Sequence, residues 1–255
     1  MKYIISFILR KIPRKYIQYV SHYVLRTFAI FYRGNNVQCP VDGRTYRKFL
    51  PYGRIESRPN ALCPSSLSLE RHRLMWLYMK EKTNFFSARI RLLHIAPELC
   101  FIEKFRKMEN LQYLTADIES PLADVKMDVH KIPFEDGAFD VVFCNHVMEH
   151  VDDDILAMSE IHRVLNHGGW ALIQSPVYME LPETIEDRSV TDPKERERLF
   201  GQSDHQRKYG RDYGDRLRKA GFRVTDDNFL QTLSEDVRKR YALPEEEIIY
   251  FCEKV

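Results

Sequence analysis

The chain has 255 residues, 44% hydrophobic and 30% charged, with 39 Lys and Arg against 37 Asp and Glu. That length suits one domain of ordinary size with a smaller appendage, and it is long enough to bury a real core. A formal net charge of +2 supplies no global field for nucleic acid. Five scattered cysteines, an odd number, make a poor disulfide framework and point to a reducing cytosol.

The basic charge is concentrated at the start. Residues 1–33 hold Lys2, Arg10, Lys11, Arg14, Lys15, Arg26 and Arg33 among Ile, Phe, Tyr, Leu and Val, with no acidic residue. No small-residue cleavage site follows, which argues against a secretory signal. Arg10 to Lys15 break the first apolar run, and His22 and Arg26 interrupt the second, so neither reads as a spanning helix. Two arrangements fit residues 1–36 equally. One is a basic amphipathic segment lying on an anionic membrane surface, which makes the protein cytoplasmic and peripheral on the inner face; the other is a helix packed on its own domain with a solvated basic face.

Residues 37–66 are rich in turn formers and contain two half-patterns, Cys39-Pro-Val-Asp42 and Cys63-Pro-Ser-Ser66. A zinc ribbon needs a thiolate pair at each place, because structural zinc takes four ligands. Asp42 and Ser66 occupy the second position of each pair, so the segment reads as a ribbon that has lost its metal, and no metal is expected.

Residues 67–255 read as the main domain. Leu74, Leu77 and Tyr78 suit a leading helix to about Lys82. Strands and helices then alternate: a strand over Ile90–Ile95, a helix over Glu98–Met108, strands over Leu111–Ala116, Lys126–Val129 and Phe139–Cys144. The Asp152-Asp153-Asp154 run caps a helix that reaches Leu165 and stops at Gly168-Gly169, followed by a strand over Trp170–Gln174. A polar stretch, 178–204, reads as a functional or mobile loop. Tyr209–Ala220 reads as helix, and Phe222–Val224 and Ile248–Cys252 as strands pairing antiparallel at one edge. The fold class is α/β, a doubly wound, mostly parallel sheet.

In such a sheet, ligands bind beyond the carboxyl ends of the strands, near the point where strand order reverses. The candidates are therefore His94-Ile95-Ala96-Pro97-Glu98, Asp117, Asp128-Val129 and Asn145-His146. A carboxylate just past the second strand is a natural partner for two ribose hydroxyls, and Asp128 suits an exocyclic adenine amine. Farther on, Asp204-His-Gln-Arg207-Lys-Tyr209 follows the long stretch and offers His205, Arg207 and Tyr209 to a substrate carboxylate or phosphate.

The order Asp128-Val-His-Lys-Ile-Pro-Phe134, Phe139-Asp-Val-Val-Phe-Cys-Asn-His146, Val147-Met-Glu-His150 and Arg163-Val-Leu-Asn-His-Gly-Gly169 closely resembles the type 11 methyltransferases, a class I S-adenosylmethionine-dependent family with a Rossmann-like fold. The resemblance is good over residues 90–177 and looser to 255. It implies S-adenosylmethionine as cofactor, Asp117 with neighbouring Ile118 at the ribose, Asp128 and Val129 at the adenine, and Asn145 and His146 at the methionine end or substrate mouth. His94, Ala96 and Glu98 stand at the first glycine-rich turn of the family, which reads acid, then Gly-x-Gly-x-Gly. This chain has no glycine there, and Pro97 removes an amide donor. Glu98 then becomes the candidate to replace the missing acid.

His146 at the substrate mouth, with His205 and Tyr209 from the polar run, are the catalytic candidates, and Asp204, His205, Arg207 and Tyr209 the substrate-binding ones. The acceptor would be a small molecule or a lipid- or glycan-linked group. Two other readings remain: a methyltransferase-like domain that has become an interaction module, and a zinc hydrolase through the H-x-x-E-H run His146, Glu149, His150. The last requires one continuous helix and a further acidic ligand.

Overall fold

The computed structural model describes residues 25–27, 29–53 and 57–255. The membrane-surface expectation for the N-terminal segment falls mostly on residues outside these. Among the described residues no helix is long and apolar enough to cross a membrane.

The described residues divide into two compact units, the first made of those up to 86 with 98–104 and 230–247, the second of 87–97, 105–229 and 248–255. In the first unit, β1 (Arg33–Gln38) pairs antiparallel with β2 (Thr45–Tyr46), and β3 (Leu50–Tyr52) with β4 (Arg58–Leu62). The leading helix α1 spans Glu70–Lys82. His72 caps its start, accepting a hydrogen bond from the Leu69 amide through Nδ1. The sequence reading joined this helix to the main domain at residue 67; the structure groups it with the hairpins, and Arg73 shows why. This fully buried guanidinium donates to the carbonyls of Asn60, Ala61, Ser68, Tyr241 and Ala242, all within the first unit. The short helix α2 covers Leu99–Phe105, ending earlier than the expected Met108.

The second unit is built on a seven-stranded sheet. β5 (Ile90–Ile95), β6 (Leu111–Asp117), β7 (Val125–Lys126), β8 (Phe139–Asn145) and β9 (Leu165–Gln174) are mutually parallel in the order β7-β6-β5-β8-β9. β5 and β8 are near-continuous apolar runs because both faces of a parallel sheet are covered. Helix α3 (Asp154–Val164) follows β8, with the Asp153 carboxylate accepting from the Leu156 amide as the sequence suggested. After β9 come β10 (Ile185–Glu186), α4 (Pro193–Phe200), β11 (Arg207–Lys208) and α5 (Tyr213–Lys219). The chain closes through β12 (Arg223–Asp227), the short α6 (Phe229–Thr232), α7 (Glu235–Tyr241) and β13 (Ile249–Glu253). β13 lies between β9 and β12 and is antiparallel to both.

Three further expectations change. Gly168-Gly169 do not end a helix; they lie inside β9, which begins at Leu165. The register jumps from Phe139 opposite Leu165 to Val141 opposite Trp170, so the extra residues bulge. A Cβ on Gly169 would stand 2.8 Å from the Asp140 carbonyl oxygen and 2.9 Å from that of Asn166, an approach only glycine permits. The stretch 178–204 is not a plain loop: α4 forms in it, with Asp192 accepting from the Lys194 and Glu195 amides, Pro193 in the first turn and Gly201 left-handed at the end. The helix expected from Tyr209 starts only at Tyr213, because Arg207–Lys208 pairs with Ile185–Glu186 and Tyr209 bridges to Val177.

Candidate functional site

After β5 the chain moves outward through β6 and β7, and β8 then returns to the opposite side of β5. The order therefore reverses between β5 and β8, which makes their carboxyl ends the place for a ligand. Register aligns the residues there. Ile95 is opposite Ala116 on one side and Cys144 on the other, and Asn145 is opposite Gln174. Asp117, Ala96, Asn145-His146 and Ser175 thus stand in a row across the edges of β6, β5, β8 and β9.

Two members of this row adopt left-handed backbone without being glycine: Ala96 (φ 48°) and His146 (φ 55°). Such conformations cost about 1–3 kcal/mol and concentrate where ligands are held. The turn after β5 thus keeps the conformation glycine favours although the glycines are gone, with the Ala96 amide tied to the Ala116 carbonyl. The His146 amide is likewise tied to the Gln174 carbonyl, at 2.7 Å.

Asp117 closes β6, and its Oδ1 accepts from the Glu119 and Ser120 amides at 2.7 and 2.6 Å. Among the described residues nothing bonds its Oδ2. Ile118 beside it is 56% exposed, an apolar side chain kept in solvent. Asp128 lies just past β7 and is exposed, accepting through Oδ1 from the His130 amide and from His130 Nδ1 at 2.8 Å. The His130 amide, then its ring, hold that carboxyl below its ordinary value. Val129 is buried in the core, so the apolar contact expected of it goes to protein.

Beyond β8, residues 146–152 form turns rather than a helix, which removes the continuous helix a zinc hydrolase needs for its H-x-x-E-H run. What the run builds instead is a buried relay. Glu149 is 2% exposed; Oε1 lies 3.1 Å from His146 Nδ1, and Oε2 accepts from Ser175 Oγ at 2.9 Å. Burial pushes this carboxyl up, but His146 outweighs it and the pKa falls below the ordinary value. A carboxylate oxygen is the natural acceptor here, so His146 donates from Nδ1, which leaves Nε2 as the ring nitrogen able to exchange a proton. Sequence reasoning singled out His146 but gave Glu149 no part in this site; its three-residue spacing from His146 was the available signal.

Several candidates are corrected. His94 is fully buried, bonded to Tyr113 Oη at 2.9 Å and packed among Phe105 and Phe143, so it presents no surface to a cofactor. Glu98 belongs to the first unit, where its carbonyl begins α2 and its carboxylate lies 3.8 Å from His72 Nε2. Tyr209 is fully buried and donates to the Met148 carbonyl and to Asp154 Oδ2. Arg207, 1% exposed, donates to the carbonyls of Met148, Val151 and Asp152 and to Glu186. These two clamp the turn that carries Glu149 and are committed to the protein rather than to a substrate. His205 is also buried, with Nδ1 on the Phe200 carbonyl, and burial lowers its pKa. Asp204 is exposed, and its carbonyl meets His150 Nδ1 at 3.2 Å.

In the first unit, the two half-patterns do converge. Ligand atoms of Cys39, Asp42 and Cys63 lie within 4.8 Å of one another, and Ser66 Oγ is 3.2 Å from Cys39 Sγ. Hydroxyls engage both thiols, Ser66 and Ser68 at Cys39 and Ser65 at Cys63, and Ser65 also donates to Asp42. Burial raises the Cys39 thiol well above its ordinary value. At Cys63 burial acts in the same direction, but hydrogen bonds from Cys39, Ser65 and Ser66 hold the thiol to about 6.

Residues 78–173 match the methyltransferase domain family. An uncharacterised 37.1 kDa protein of transposon TN4556 from Streptomyces fradiae is 32% identical over 87 residues, which is 34% of this chain; the match spans about a quarter (23%) of that relative's length. Among solved structures, a SAM-dependent methyltransferase from Archaeoglobus fulgidus superposes with a TM-score of 0.46 at 16% identity, covering 72% of this chain and 94% of that one. An S-adenosylmethionine-dependent methyltransferase from Mesorhizobium loti does so at 0.43 and 15%, covering 70% and 97%.

Proposed function

We propose that this chain, whose residues 78–173 match the methyltransferase domain family, uses S-adenosylmethionine to methylate an acceptor that must lose a proton, with His146 as the base. The observation carrying this reading is the pair of left-handed non-glycine residues, Ala96 and His146, at neighbouring strand ends on either side of the switch point.

The row fits the adenosine half of the cofactor. Asp117 keeps Oδ2 for a ribose hydroxyl, exposed Ile118 offers an apolar face, and Asp128 an acceptor for the adenine amine. When bound, S-adenosylmethionine supplies a methyl group activated on a sulfonium. The protein's part is to align the acceptor and remove its proton. Glu149, itself fixed by Ser175, orients His146 and stabilises its charged form as the ring takes up that proton.

The acceptor we favour is a small molecule or a lipid- or glycan-linked group, reached from the inner membrane face. Support for the latter is the basic, acid-free composition of residues 1–33.

Calorimetric titration of the full chain with S-adenosylmethionine and S-adenosylhomocysteine tests the first step. Both should bind, and Asp117→Ala should weaken each by about 10- to 100-fold, the worth of a lost hydrogen bond to a buried polar ligand. No heat with either ligand refutes the enzyme reading in favour of an interaction module, which the buried His94 and the absence of glycine in the first turn favour. Once an acceptor is found, His146→Ala should lower turnover by about 10²- to 10⁴-fold while S-adenosylhomocysteine binding is kept. Flotation with anionic liposomes, with and without residues 1–33, tests the membrane arm; equal recovery removes it.

A further inference from the structure

Glu149, His150 and His205 offer ligand atoms that all lie within 4.8 Å of one another. Sequence separates His205 from the other two by more than fifty residues, and the clamp made by Arg207 and Tyr209 on residues 148–152 brings it back. From this grouping we propose that the second unit holds a site for a divalent transition-metal ion of the zinc class, bound by one Glu149 carboxylate oxygen and the Nε2 atoms of His150 and His205.

The state of the two rings is what distinguishes the group from an ordinary polar cluster. His205 is 3% exposed, its Nδ1 is 3.1 Å from the Phe200 carbonyl, and its Nε2 has no hydrogen-bond partner among the described residues. A carbonyl can only accept, so the proton sits on Nδ1 and Nε2 carries a buried lone pair. Buried polar atoms are almost always satisfied, and an orphan of this kind calls for an explanation. His150 repeats the arrangement: its Nδ1 lies 3.2 Å from the Asp204 carbonyl, which leaves Nε2 with the lone pair. Metal-binding histidines characteristically donate their other ring N–H to a carbonyl or carboxylate, which fixes the tautomer and aims the ligating nitrogen. Here two rings do so through one short segment, residues 200–204.

The rings meet edge to face, with centroids 4.8 Å apart and planes at 83°, so they are close neighbours in different orientations. Glu149 completes the set with its own outer contacts in place, Ser175 on one oxygen and His146 on the other. A tetrahedral zinc with bonds of 2.0–2.1 Å holds its ligands about 3.3 Å apart, so the group closes on an ion by small side-chain rotations. Two imidazoles and one carboxylate suit zinc and its neighbours rather than magnesium or calcium. Three protein ligands leave a coordination position open to water or a small anion. The site differs from the H-x-x-E-H reading, because His146 is not a ligand and the third one comes from beyond α4. It shares Glu149 with the His146 relay, but metal uptake can be measured without any methyl acceptor.

The test is titration of the full chain with Co²⁺, and Zn²⁺ in competition, in the wild type and in a Cys39→Ser/Cys63→Ser variant that removes the thiols of the other cluster. The expected result for the variant is one equivalent bound, with ligand-field bands of low coordination number and no thiolate charge-transfer band. His205→Ala and His150→Ala, each in that variant, should weaken binding by more than about 100-fold, since losing an outer-shell partner alone costs 10- to 100-fold. His150 is 36% exposed, so its variant remains informative if His205→Ala folds poorly, and circular dichroism checks both. Three results would overturn the proposal: no stoichiometric uptake once the thiols are removed, binding unchanged in both histidine variants, or binding lost with His146→Gln but kept with His205→Ala.

Discussion

Replacing Asp154 by Asn perturbs the charge on which the clamp behind the site rests. Asp154 is 2% exposed at the start of α3. Its carboxylate accepts from Tyr209 Oη at 2.9 Å, from Arg216 Nε at 2.8 Å and from Arg216 Nη2 at 2.7 Å, with Arg207 Nε 3.9 Å away. Removing one member of a buried ion pair costs about 3–5 kcal/mol, because the remaining charge is left desolvated. Asn keeps an acceptor for Tyr209 but turns an amide N–H₂ toward a guanidinium, so we expect the low end, about 3 kcal/mol. For a chain of this size that is a fall of roughly 6–12 °C in Tm. The acid limb gives a second reading. Burial raises the Asp154 pKa, but the hydrogen bond from Arg216 and the charges of Arg207 and Arg216 more than offset this, and it lies below its ordinary value. The stabilisation is therefore complete above the unfolded value of about 3.9 and disappears as acid protonates the folded carboxyl. Urea unfolding at pH 7 and at pH 3 should show the gap between Asp154→Asn and wild type shrinking at the lower pH. A Tm within 2 °C of wild type, or a gap that stays constant with pH, would refute the view that this charge holds the clamp.

Arg73→Met removes a donor from five carbonyls, of which that of Ser68 keeps the Cys63 amide, and should destabilise the chain by about 3 kcal/mol; chemical denaturation measures it, and a loss under 1 kcal/mol would show that the bonds are dispensable. Gly169→Ala forces a methyl against the carbonyls of Asp140 and Asn166 and should cost roughly 1–3 kcal/mol in the same assay, whereas a neutral result would mean the bulge relaxes freely. Burial raises the Glu247 carboxyl to about 7. The folded state therefore keeps a proton that the unfolded chain releases near pH 4.3, and stability declines as pH rises between those values. Unfolding free energies from urea titrations at pH 5 and pH 8 should differ by roughly 2–3 kcal/mol from this group, and Glu247→Gln should remove that part of the difference.

The parallel strands were legible because burial on both faces leaves an unbroken apolar signature: Ile90–Ile95 was read with the limits it has, and Phe139–Cys144 to within one residue. The start of β9 was not, since Asn166-His-Gly-Gly169 has the composition of a turn and only the opposing Asp140 carbonyl shows it to be a bulge. Helix α4 was missed although Asp192-Pro193 and Gly201 are ordinary boundary residues, because its charged, apolar-poor sequence hides the helical period. At the site, strand-end positions could be read from order alone, which placed Asp117, Asp128 and His146. What sequence could not convey is which polar side chains turn inward. Arg207, Tyr209 and His205 look like surface groups in a polar run, yet all three are buried, Arg207 and Tyr209 through contacts with residues 148–154, more than fifty positions earlier.

The position of β13 has a consequence for how the protein is made. It follows β12 in sequence but is inserted between β9 and β12. During synthesis β9 can align on β8 while its other edge stays open, and β12 has no partner in the sheet until residues 249–253 emerge. An open edge of this kind is a template for pairing with another chain. A ribosome stalled a few codons before Ile249 would therefore carry a nascent chain with the Asp117 to Ser175 row encoded in full but an unsealed sheet, open to capture by a neighbouring chain.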